Sequence, residues 1–170
     1  MRKMLVVTVA VCTLLYACDI DSPPRVNFDL EALHQARNKW EAQGISSYTF
    51  EVFEFWAGPQ PIFRITVTEG EIADIEVVDD KHENEENIAY ALERIRALGT
   101  IPAIFDDIEI LYEEALRKLP QLEKQARITC QVKYNEAYGF PEEVRYSVSF
   151  VDGGFYSITV RNFRHLQAAK

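Results

Sequence analysis

Arg127-Ile128-Thr129-Cys130-Gln131-Val132-Lys133-Tyr134 decides the fold class. Apolar side chains at 128, 130, 132 and 134 alternate with polar ones at 127, 129, 131 and 133. That is the period of a strand with one buried face. Cys130 falls on the apolar side, which makes it a core residue rather than a nucleophile. Downstream come a Gly/Pro loop (Tyr138-Gly139-Phe140-Pro141), a strand over 142–150, the turn Asp152-Gly153-Gly154 and a strand over 155–162. The same order occurs upstream. Strands at 46–56, 62–68 and 71–78 are separated by Ala57-Gly58-Pro59-Gln60-Pro61 and by the tight turn Glu69-Gly70, where glycine tolerates a positive φ.

Helices precede each triplet. Asp29 caps the first, and Phe28 is placed to pack on Leu33 as a hydrophobic staple. Leu30, Leu33, Arg37 and Trp40 share its inner face, and Gly44 ends it. A shorter helix is predicted over 85–98, with Ile88, Leu92 and Ile95 inward. Thr100 caps a longer one through Leu119, with Phe105, Ile108, Leu111, Tyr112 and Ala115 as its apolar stripe and Ile110 exposed. The expected fold is α+β: two helix-plus-three-strand units whose strands, about six in all, join in one antiparallel sheet with helices on one face. Residues 27–165 form this single domain, and the other sheet face is left open.

The N-terminus carries a different signal. Arg2 and Lys3 precede an uncharged stretch over 4–17 that ends Leu14-Leu15-Tyr16-Ala17-Cys18. It is shorter than the roughly 20 apolar residues of a membrane span. It has the charged start, apolar middle and small pre-cleavage residue of a secretory signal. Residues 1–17 are therefore expected to be a lipoprotein signal peptide, and 18–26 a lipidated Cys18 with a short linker. The acyl chains would hold the protein to a membrane. The predicted location is the bacterial cell envelope, facing the periplasm or exterior. With Cys18 lipidated, Cys130 has no disulfide partner in the mature chain.

The chain has 27 acidic and 18 basic residues, for a net charge of −9. Loss of Arg2 and Lys3 makes the remainder more acidic still. Nucleic acid, which requires a basic surface, is excluded as a partner. Catalytic signatures are also missing. His34, His82 and His165 lack the spacing of a zinc site, and no Gly-x-Ser-x-Gly elbow occurs. Asp79-Asp80 and Asp106-Asp107 are sequence neighbours whose side chains diverge on a regular element. The acidic run around His82 lacks the alternating ligands and glycine of a calcium loop. No catalytic residue, metal or cofactor is expected, and the chain reads as non-enzymatic.

Further landmarks are Arg37-x-x-Trp40, Ile45-x-x-Tyr48-x-Phe50, Thr66-x-x-x-Gly70 and Thr100-Ile101 with Phe105 and Ile108. Tyr134-x-x-x-Tyr138-Gly139-x-Pro141 and Tyr156-x-Ile158-x-Val160-x-x-Phe163 complete the set. Together they resemble a bacterial domain-of-unknown-function family found often in small lipoproteins and other exported proteins. The resemblance spans nearly the whole chain after the leader. Some members carry cysteines just after the first strand, where this chain has Phe55-Trp56. The family has no established activity, so the resemblance implies fold and location and leaves function open.

Two features point to binding. Arg37 on an apolar helix face needs a carboxylate or aromatic partner, and a helix-to-sheet clamp is its expected role. Tyr48 to Trp56 is aromatic on both faces, which places Phe53 and Phe55 on the open sheet face with Ile72 beside them. Exposed apolar patches mark interfaces. The candidate binding residues are Arg37, Trp40, Phe53, Phe55, Trp56, Tyr138 and Pro141. The expected partner is a protein docking on an apolar centre with an acidic rim. The alternative is a small-ligand carrier or sensor with a pocket between helix and sheet.

Overall fold

A computed structural model of the chain describes residues 23–55, 61–79, 85–122, 126–149 and 154–166. The predicted Cys18, Trp56, His82 and most of the Gly/Pro loop at 57–61 lie outside these residues.

The elements follow in the order β1 (Arg25–Asn27), α1 (Leu30–Glu41), β2 (Tyr48–Phe55), β3 (Ile62–Thr68), β4 (Glu71–Asp79), α2 (Glu85–Ala97), α3 (Ile101–Lys118), a 3₁₀ turn (Leu119–Gln121), β5 (Arg127–Tyr134), β6 (Pro141–Val148) and β7 (Phe155–His165). The seven strands form one sheet ordered β1-β5-β6-β7-β2-β3-β4. Each triplet is an antiparallel meander, and the two join through β2 and β7. The fold is α+β, with helices packed against a mixed sheet.

The strand count corrects the expectation of six. Arg25 and Val26, read from the sequence as the end of a linker, begin β1 and pair parallel with Arg127 and Ile128 of β5. Three residues are too few to show a period, so β1 leaves no periodic trace.

All three helices bury their apolar stripes in one core cluster with one parity of the strands. Leu33, Ala36 and Trp40 of α1, Ala91 and Ile95 of α2, and Ile101, Ile104, Phe105 and Ile108 of α3 meet Phe50, Val52, Phe63, Ile65, Cys130, Val144, Ile158 and Val160. Each fully buried aliphatic or aromatic side chain contributes about 1.5–3 kcal/mol. Asp29 caps α1 through the amide of Ala32, and Thr100 caps α3 through that of Ala103. Phe28 packs against the core cluster that holds Leu33. Its ring meets Tyr112 of α3 at 5.0 Å and so ties the start of α1 to α3.

Bulges redirect two side chains. Register shifts between Thr66 and Val67 place Ile72 opposite the buried Val67, on the helix side. A Cβ added at Gly99 would stand 2.2 Å from the Ile72 side chain. Ile72 therefore does not join Phe53 and Phe55. In β7, Asn162 takes φ of 53°, which Asn tolerates better than most residues. The register shifts there, and Phe163 turns into the core three residues after Val160 rather than two or four.

Candidate functional site

The sequence-predicted binding residues fall into separate places. Phe53 and Phe55 lie on β2 with the opposite parity to Phe50 and Val52, hence on the face away from the helices. Phe55 and Phe155 are both exposed and touch at 5.8 Å in an edge arrangement. The Arg161 guanidinium sits over the Phe53 ring at 5.8 Å, a cation–π contact.

Beside them is an ion network. Glu51 accepts from Arg64 (3.0 Å), Arg161 (3.1 Å) and Asn162 (2.7 Å), and Arg64 also reaches Glu76 at 2.9 Å. Burial alone would raise the Glu51 carboxyl's pKa, but these donors outweigh it and hold the group below its ordinary value. The surroundings of Phe53 thus include arginines as well as acids.

Trp40, Tyr138 and Pro141 belong to the helix side. Trp40 is 4% exposed and meets Tyr48, Phe140 and Phe163 edge-on at 5.4, 6.1 and 5.7 Å. Tyr138 packs on Phe163 at 5.2 Å, and Pro141 is buried. Phe163 in turn contacts Tyr48, at the opposite end of β2 from Phe55. The Tyr138–Pro141 loop is therefore separated from Phe53 and Phe55 by both face and strand length. Its sequence is explained by docking on α1. Asn135 Oδ1 accepts from the amides of Ala137 and Tyr138, and Lys39 donates to the Glu136 carbonyl. Gly139 has φ of 90°, and an added Cβ would come within 2.6 Å of the Ala36 carbonyl.

Two other landmarks also meet. The amide of Ile101 donates to the Tyr48 hydroxyl at 3.0 Å, so β2 holds the start of α3. Burial raises the Tyr48 pKa, offset in part by this hydrogen bond.

Arg37 clamps helix to helix instead of helix to sheet. Its Nη2 lies 2.9 Å from Asp106 and 3.4 Å from Glu109, and its guanidinium stacks 5.4 Å from the Phe105 ring. The buried Arg37 Nε has no hydrogen-bond partner among the described residues.

Sequence reasoning missed a second buried network. Arg94 of α2 donates from Nε to Glu54 (2.9 Å) and from Nη2 to Asp107 (3.0 Å) and the Tyr156 hydroxyl (2.9 Å). Burial works to lower the Arg94 pKa, but Tyr156, Glu54 and Asp107 outweigh it and raise it; burial likewise raises that of Tyr156. The adjacent acids Asp106 and Asp107 thus diverge, one to α1 and the other to α2. The available signal was Glu54, which shares parity with Phe50 and Val52 and so needs a buried cation.

A depression of about 310 Å³ opens between the start of α1 and β5, lined by Phe28, Asp29, Ala32, Cys130, Val132 and Tyr134. Arg37 does not line it. Burial pushes the Cys130 thiol up to about 12, and raises the Tyr134 pKa. The buried Tyr134 hydroxyl has no hydrogen-bond partner among the described residues. No group of three or more His, Cys, Asp or Glu side chains among the described residues could hold a metal ion, and no described helix is long and apolar enough to cross a membrane.

The fold defines a two-layer α+β domain with helices on one face of a meandering sheet. The chain belongs to the family of unknown function DUF6174, whose model matches residues 32–165. No curated protein and no solved structure matches it.

Proposed function

We propose that this is a membrane-anchored bacterial lipoprotein whose domain binds another envelope protein and performs no catalysis. One observation carries the binding reading: the core gathers all three helices on one side, leaving Phe53, Phe55 and Phe155 on the other. An aromatic cluster beside paired arginines and acids has the composition of a protein interface, where aromatics and Arg are enriched. The anchor rests on the N-terminal sequence ending at Cys18.

Mass spectrometry of the mature N-terminus tests the anchor; the expected species is a triacylated or diacylated Cys18, and an intact Met1 overturns it. Photocrosslinkers at Phe53 and, on the helix side, at Gln35 test the surface in intact envelopes. The expected result is a defined adduct from 53 alone, lost with Phe55→Lys. Equal labelling from both positions sinks the assignment.

A second reading, a small-ligand carrier, draws on the depression beside the Tyr134 hydroxyl, which has no hydrogen-bond partner among the described residues. A ligand accepting that hydrogen bond would bind more weakly to Tyr134→Phe, measured by calorimetry.

A further inference from the structure

We propose that the free edge of β4 receives a basic, extended segment of another protein as an added strand. β4 ends the sheet order and pairs with β3 alone among the described strands. Its sequence, Glu71-Ile72-Ala73-Asp74-Ile75-Glu76-Val77-Val78-Asp79, holds four acids and no base. Bulges interrupt it near each end, but Asp74 to Val77 pair regularly with Thr66, Ile65, Arg64 and Phe63. That leaves a regular window for strand addition, in which backbone hydrogen bonds give affinity and side-chain pockets give specificity.

The two faces of this window differ. Asp74 and Glu76 pair across from Thr66 and Arg64, on the open face that carries Glu51. Ile75 and Val77 pair with Ile65 and Phe63, which are 0% and 1% exposed, so they point to the helix side. There a groove of about 480 Å³ runs between β4 and α2, lined by Ile72, Ile75, Leu92 and Arg96 among others. Ile72, which lines it, is 36% exposed, as is Val77 further along the strand.

An incoming strand is therefore amphipathic. Its Lys or Arg side chains stand across from Asp74 and Glu76, and its apolar ones fill the groove. A second copy of β4 is a poor occupant, because it would set these acids against the same acids, and like charges across strands destabilise pairing. Charge thus selects a basic partner and discourages self-association.

The test uses the full-length protein in detergent micelles and two capped octapeptides, one alternating Lys with Val and the other Glu with Val. The Lys-Val peptide is expected to bind, slowing amide exchange within Glu71–Asp79. The paired substitution Asp74→Lys and Glu76→Lys should weaken it by more than tenfold while gaining affinity for the Glu-Val peptide, which shows that the variant is folded. N-methylating the Lys-Val peptide throughout keeps its charge and should abolish binding. The proposal is overturned if neither peptide binds, if both bind alike, if N-methylation leaves affinity unchanged, or if protection falls on another strand.

Discussion

Glu51 and Glu54 stand on the same strand and are almost equally buried, at 6% and 8% exposed, yet they are buried in different ways. Glu54 lies under the helices and, among the described residues, meets one cation, Arg94. Glu51 lies on the open face and is covered by the polar side chains that bind it, Arg64, Arg161 and Asn162. Both of those arginines reach solvent, with side chains 43% and 46% exposed. Similar accessibility thus conceals a difference in dependence: among the described residues, one carboxylate has one counter-ion, the other a redundant set.

Removing that one counter-ion gives the largest effect. Arg94→Met leaves Glu54 and Asp107 without the cation they share, and Asp107 keeps the 3.3 Å hydrogen bond from the Tyr156 hydroxyl. A broken buried pair costs about 3–5 kcal/mol, and the partial exposure of Arg94 brings the expected loss to about 2–3 kcal/mol by urea denaturation. A loss below that of Arg161→Met would show that Glu54 does not depend on Arg94.

Asn162→Ala comes next. It removes the 2.7 Å hydrogen bond to Glu51 and places alanine at φ of 53°. The expected loss is about 1–2 kcal/mol. Asn162→Gly should recover part of it, which separates backbone strain from the hydrogen bond.

Arg161→Met should cost only about 0.5 kcal/mol, since Arg64 and Asn162 still hold Glu51 and exposed pairs contribute little. Thermal denaturation at low and high salt checks this, because the small loss should shrink further as salt screens the pair.

The smallest effect is in pH dependence. The Glu51 pKa is lowered in the folded protein. Its stabilisation is therefore complete above the unfolded carboxylate pKa and lost as pH falls through the lower folded value. Glu51→Gln should flatten the acid limb of urea midpoint against pH below the ordinary value of 4.5. An unchanged limb would show that the donors do not hold the carboxylate as the geometry indicates.

Much of the fold was legible because regular strands announce themselves. The alternation at 127–134 marked β5 and its inner face correctly, and Asp29 and Thr100 marked helix starts through the backbone amides they satisfy. What escaped depends on contacts distant in sequence or on broken periods. β1 is visible only through its pairing with β5. The bulge in β4 reversed the side on which Ile72 was expected. The one in β7 left a trace, the three-residue step from Val160 to Phe163. Of the candidate site, the outward parity of Phe53 and Phe55 was readable from β2 itself, whereas the separation of the Tyr138–Pro141 loop from them was not. The Arg94 network draws on α2, α3, β2 and β7, and only Glu54, an acid on a core-facing parity, hinted at it.

The small strand β1 has a geometric consequence. It fixes the chain's entry at one margin of the sheet, and β4 is the other margin. With strands about 4.8 Å apart, the two margins are roughly 25–30 Å from each other. If Cys18 is the lipid attachment point, the six residues from Asp19 to Pro24 allow a reach of at most about 20–22 Å before β1 begins. The domain would then hang from the bilayer like a pennant from its hoist, with β1 held close and β4 able to swing outward. An edge carried at that margin would then meet partners that a patch next to the lipid could not.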